Sequence, residues 1–152
     1  MIVAALALAG IFIAAYLTLH KLGYLGELVC AVGACDVVNA SRWATFLSLP
    51  VAAWGVGYYV VTFATAMLGL RERWLDSMLI ARVLLFLGAT GFLFSAWLTY
   101  LELFVIHAIC QWCVVSAVLA TAIFVVSVLE YRELKRTTGQ GWGNPSGEEP
   151  VG

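Results

Sequence analysis

The sequence predicts an all-α integral membrane protein built as a four-transmembrane-helix bundle. The composition is too apolar for a water-facing domain, four apolar runs reach spanning length, and Lys and Arg fall on one side of them. Of the 152 residues, 63% are hydrophobic and 11% charged, whereas soluble domains average roughly half apolar and a quarter charged. A soluble domain of this length leaves about a third of its unfolded surface in water, and too few polar residues are present to cover it, so this composition requires lipid as solvent. The formal net charge of -1 and the lack of a dense Lys/Arg cluster give no basis for a nucleic-acid partner.

A spanning helix needs about 20 mostly apolar residues. Ile2 to Leu19, Pro50 to Leu70, Met78 to Tyr100 and Cys110 to Leu129 meet that length. The first is read as a true span because it lacks the positive n-region and clear cleavage site of a secretory leader ahead of His20 and Lys21. Pro50 suits the first helical position, where its missing N–H has no intrahelical partner to lose. Ser41 to Leu49 reads as a short interfacial helix in the first outer loop, with Ser41 as its N-cap. Ala53 with Gly57, and Gly91 with Ser95, are small residues one turn apart that allow close helix approach. Residues 1–131 form the four-span unit. Residues 132–152 form a basic and then disordered cytoplasmic tail, which from Thr137 onward has too little apolar surface to fold.

Orientation follows from the short loops. Arg71 and Arg73 lie between spans two and three, Arg82 just inside span three, and Arg132, Lys135 and Arg136 after span four. Positive loops stay inside, which predicts that both termini are cytoplasmic; the expected location is the inner (plasma) membrane. The opposite side carries only Lys21 and Arg42, and no Lys or Arg between Leu101 and Ile109.

That topology puts Cys30, Cys35, Cys110 and Cys113 on the outward, periplasmic or exterior side, where disulfides persist. Cys110-Gln111-Trp112-Cys113 opens span four, where unpaired backbone N–H groups and the positive helix end favour a thiolate. Residues three apart share a helix face, so the two sulfurs can bond reversibly. Cys113 sits about 4.5 Å deeper, at a rise of roughly 1.5 Å per residue, so Cys110 faces the loop and Cys113 the membrane interior. Cys30 and Cys35 lie in a loop whose small residues permit motion, and exchange requires sulfurs to touch in sequence. Two other readings stand beside this one. The first is a tetrahedral zinc site, against which the unequal spacings argue, so that no metal is expected. The second is a pair of structural disulfides, of which a bridge as short as CxxC would stabilise little.

The chain resembles the vitamin K epoxide reductase family over nearly all of Ile2 to Tyr131. The resemblance is carried by Cys35 followed by Ser41-Arg42-Trp43, by Leu49-Pro50-Val51-Ala52, by Ala96-Trp97-Leu98, and by Cys110-Gln111-Trp112-Cys113-Val114-Val115-Ser116-Ala117. It implies a quinone held in the bundle next to Cys113, with Trp43, Trp54 and Ala117 around the same pocket. It also implies a Cys35 to Cys110 exchange as internal relay and a thioredoxin-like (DsbA-like) protein docking at Cys30. Electrons would then pass from partner thiols to a ubiquinone- or menaquinone-type quinone, supporting disulfide formation in exported proteins. A fused thioredoxin-like domain, present in some members, has no counterpart in this sequence, so the partner is expected to be separate. The Asn and Tyr of vertebrate members have no counterpart in Pro50 to Tyr59 or at Ala117; vitamin K quinone or its epoxide is the alternative substrate. The DsbB family places its cysteine pairs in the reverse order, and a tetraspanin-like, non-catalytic scaffold needs a far larger second outer loop.

Glu102 lies near the outer end of span three, either as a proton relay or as an interfacial carboxylate reaching water. His107, three residues before Cys110, either stabilises a thiolate or is a plain interfacial residue. Trp112 and Trp43 read as aromatic-belt residues, and the resemblance implies that Trp43 also covers the pocket. Asp36, Asn39 and Ser41 read as residues that order the loop.

Overall fold

Four apolar helices long enough to cross a membrane dominate the architecture. The computed structural model describes residues 1–24, 26, 34–71 and 77–140, apart from the side chains of Asp36, Asn39 and residues 138–140. Cys30, Arg73 and the tail beyond Gln140 lie outside the described residues. In chain order the elements are α1 (Ile2–Lys21), α2 (Cys35–Ala40), a single 3-10 turn (Arg42–Ala44), β1 (Thr45–Phe46), β2 (Leu49–Pro50), α3 (Val51–Gly69), α4 (Met78–Leu101), a π turn (Glu102–Ile106) and α5 (Gln111–Gln140). Helices α1 and α4 each pack against both α3 and α5, closing a ring. Chain direction alternates, so Met1, Gly69, Ser77 and Leu134 meet at one end. At the other end Leu17, Cys35, Val38 and Cys110 form a buried cluster.

Lipid offers no hydrogen bonds, so polar side chains inside the spans must find partners within the protein. The hydroxyls of Thr18, Thr62, Thr65, Thr90, Thr99 and Thr121 each donate to the carbonyl one turn back, at 2.7 to 2.9 Å. Small residues set helix separation. Gly10 makes room for the Tyr59 ring and Gly91 for the Tyr58 phenol, while a Cβ at Gly88 would lie 2.9 Å from Phe124 Cα on α5. Gly57 takes no part in this packing, because it is exposed and faces open space. The close approach of α3 to α1 falls at Gly55, where an added Cβ would stand 3.5 Å from Ala14 Cβ. Gly57 is rotated from it by roughly 200° around the helix.

The first loop differs from the helix expected over Ser41 to Leu49. The short helix comes earlier, at Cys35–Ala40, and Ser41 ends it, its hydroxyl donating to Val38 O at 2.7 Å. After the 3-10 turn the chain makes a miniature antiparallel hairpin, pairing Thr45 with Pro50 and Phe46 with Leu49. Leu47 and Ser48 occupy positive φ, 51° and 65°, as a two-residue hairpin turn of the I′ type demands. The Trp54 indole N–H ties the hairpin to α3 by donating to Phe46 O at 3.3 Å. Pro50 is the N-cap of α3, one residue outside the expected first helical position.

Two helix ends also move. The Leu101 to Ile109 connection is largely helical, since α4 passes into the π turn before His107 reverses the chain at φ 55°. Helix α5 crosses both Tyr131 and Thr137 without interruption and runs to Gln140.

Candidate active site

Cys110 stands directly ahead of α5, and its carbonyl accepts the N–H of Val114 at 3.0 Å, the first bond of that helix. The helix-start N–H groups of Trp112 and Cys113 point at the Cys110 sulfur, as they would at a capping oxygen. The Cys113 thiol donates to the same sulfur, and this bond is the largest cause bringing the Cys110 thiol down from 9.0 to about 7, against the opposing effect of burial. Cys110 and Cys113 are free thiols. The pair is therefore poised as a thiolate beside a thiol, the arrangement from which a disulfide forms on loss of two electrons.

Cys35 shares a buried cluster with Cys110, each 1% exposed. The Ala34 N–H donates to Ile109 O at 3.0 Å, pinning the start of α2 against the entry to the CxxC segment. Cys35 is in a disulfide, and Cys110 is free, so a Cys35–Cys110 bond is not formed in this state. Trp112 is half-buried and its ring lies 5.4 Å from that of Tyr16, so it closes this cluster in addition to meeting the boundary.

Glu102 is drawn inward by the π turn. Its carbonyl accepts the N–H groups of His107 and Ala108, which folds the chain back on itself. Its carboxylate then accepts the Cys110 N–H at 3.1 Å and a hydrogen bond from the Cys113 thiol. At 6% exposure it is buried against the CxxC segment, where the interfacial alternative would have it displayed at the surface. His107 is exposed and its left-handed backbone makes the reversal; it does not line the cavity between the helices.

Between the helices below the hairpin lies a cavity of about 360 Å³, within the range of small-molecule sites. Cys113, Trp43, Trp54 and Ala117 all line it, as does Glu102, whereas Cys110 stands behind Cys113, outside the lining. Trp43 has the Arg42 guanidinium 4.9 Å from its ring centroid. Tyr58 and Tyr59, which sequence reasoning passed over, close the inner side. Tyr58 donates to Leu87 O at 3.1 Å, and the Tyr59 hydroxyl lies 2.9 Å from Ser116 Oγ and 3.0 Å from Ser116 O. The available signal was two adjacent phenols in mid-span, since hydroxyls at that depth must be satisfied by other helices.

The lining fits a flat, largely apolar ring system bearing a few acceptor oxygens: aliphatic and aromatic walls, with polar groups limited to Glu102, Cys113, hydroxyls, the indole N–H groups of Trp43 and Trp54, and backbone. Among the described residues no group of three or more His, Cys, Asp or Glu side chains is arranged to hold a metal ion. The family model of the vitamin K epoxide reductase family matches residues 1–128.

Proposed function

From the premise that the chain belongs to the vitamin K epoxide reductase family, and is thus a membrane oxidoreductase of a family that acts with quinones, we propose a direction and a route for its electrons. Thiols of a separate thioredoxin-like protein are oxidised at Cys30 and Cys35, the electrons pass by disulfide exchange to Cys110 and Cys113, and a quinone in the cavity receives them. The net result is disulfide formation in exported proteins. A bound quinone supplies an acceptor for two electrons and two protons.

The observation that carries this reading is the placement of the two free thiols. Cys113 is in the wall of the cavity and Cys110 sits behind it, packed in one buried cluster with Cys35. The helix start holds Cys110 as the better nucleophile, the Cys113 thiol supports it, and the cavity wall around the Cys113 sulfur is largely aromatic and aliphatic. An inert scaffold with two structural disulfides is disfavoured because Cys110 and Cys113 remain unbonded. The positive residues near Gly69, Met78 and the end of α5 support an orientation with both termini cytoplasmic and the cysteines facing the periplasm or exterior.

The test is a quinone-reduction assay on purified protein in detergent, with a short-chain ubiquinone as acceptor and dithiothreitol or a reduced thioredoxin-like protein as donor. Turnover is expected with both donors. Cys110→Ser and Cys113→Ser should each lower it by at least about 1000-fold, as loss of a reacting group does. Cys35→Ser should abolish turnover with the protein donor and spare it with dithiothreitol. Full activity in either CxxC variant would defeat the electron route, and equal loss with both donors in Cys35→Ser would defeat the relay.

A further inference from the structure

We propose that Glu102 is the proton acceptor for the Cys113 thiol and delivers that proton to the ligand in the cavity, a role that rests on the quinone reading above. The carboxylate touches both the reacting sulfur and the cavity. Cys113 hydrogen bonds to it, and both residues line the same wall.

Each side-chain partner of Glu102 is a donor, the Cys110 N–H at 3.1 Å and the Cys113 S–H. A group that only accepts is in the state to take a proton. No described cation pairs with it. The helix start, however, directs its N–H groups at both Glu102 and the Cys110 sulfur. Two anions therefore compete for one positive helix end, and protonating one relieves the other. The other titratable groups lining the cavity are otherwise committed, Tyr58 to Leu87 O and Tyr59 to Ser116. Cys35 is held in its disulfide and His107 points to solvent.

The single Cys113 proton thus lies within reach of two acceptors, the Cys110 sulfur and the Glu102 oxygen. In the oxidative step the Cys113 S–H bond breaks, a Glu102 O–H bond forms, and the Cys110–Cys113 S–S bond forms as two electrons leave for the quinone. Glu102 then returns its proton to a quinone oxygen. The second proton of the hydroquinone comes from solvent, balancing the one released when Cys110 ionised.

The variant is Glu102→Gln, which keeps an oxygen for the Cys110 N–H and cannot accept the proton. Single-turnover reduction of a short-chain ubiquinone by the prereduced protein should slow by about 100-fold, within the range for general acid–base groups. Its solvent deuterium isotope effect should rise, and Glu102→Asp should restore part of the rate. Thermal unfolding in detergent should be unchanged. A second readout needs no quinone: the infrared difference between dithiothreitol-reduced and oxidised protein should contain a carboxyl C=O band that Glu102→Gln lacks. A wild-type rate and isotope effect in Glu102→Gln, or no such band in the wild type, overturns the role. Failure of the wild type to reduce quinone, with the band present, overturns the quinone reading and leaves Glu102 coupled to the thiols.

Discussion

The two ends of the bundle are built by different rules. Where Met1, Gly69, Ser77 and Leu134 converge, ordinary α-helices start and stop, Leu70 closes α3 in right-handed geometry, and the described ion pair there joins Arg136 to Glu133 at 3.1 Å with both side chains 68% exposed. At the cysteine end the chain uses a six-residue helix, a 3-10 turn, a hairpin and a π turn within residues 35–106. All described non-glycine residues with positive φ, Leu47, Ser48 and His107, are there too. Backbone irregularity is costly and persists where surrounding contacts over-determine it. Here it brings a carboxylate, two thiols and the lid of a cavity to one place, which uninterrupted helices would hold apart.

Three measurements put that contrast under strain. The largest effect is expected at the CxxC pair. In the reduced protein the thiolate absorbance of Cys110 should titrate with a midpoint of about 7, and Cys113→Ala should move it up toward 9.0, because the lost hydrogen bond is the main cause of the depression. Between those values the unfolded chain binds more protons at this group than the folded one, so its contribution to the reduced state is complete above 9.0 and is lost as the pH falls through about 7. A midpoint unmoved in Cys113→Ala breaks the assignment. A smaller effect is expected from Tyr59→Phe, which strands Ser116 Oγ beside the cavity and should cost about 1–2 kcal/mol in detergent unfolding. The smallest belongs to the opposite end, where Arg136→Ala should change stability by no more than about 0.5 kcal/mol, since a largely solvated pair gains little. Equal costs for Tyr59→Phe and Arg136→Ala would erase the difference between the ends.

Much of the regular end was legible in the sequence, because spanning length and apolarity are properties of whole segments. All four spans start within a residue of where their composition places them, while the third runs on to Ile106 and the fourth to Thr137. Cys110, Cys113 and Cys35 were legible as one group through topology alone, and Trp43, Trp54 and Ala117 through resemblance. The hairpin was not, since Leu47-Ser48 lacks the Asn-Gly or Asp-Gly signal that normally announces two positive φ values. Nor was the inward turn of Glu102, which depends on carbonyl bonds made in a π turn and on the reversal at His107. The run of α5 to Gln140 was missed because the weakly apolar stretch after Tyr131 reads as tail when its attachment to a long preceding helix is ignored.

The seal over Cys35 and Cys110, each 1% exposed, has a kinetic consequence. A small outside thiol such as dithiothreitol meets these sulfurs when α2 lifts from the head of α5. Its reaction then proceeds at the frequency of that local opening, which slows adventitious discharge of the stored reducing equivalents while leaving a route open to a small donor.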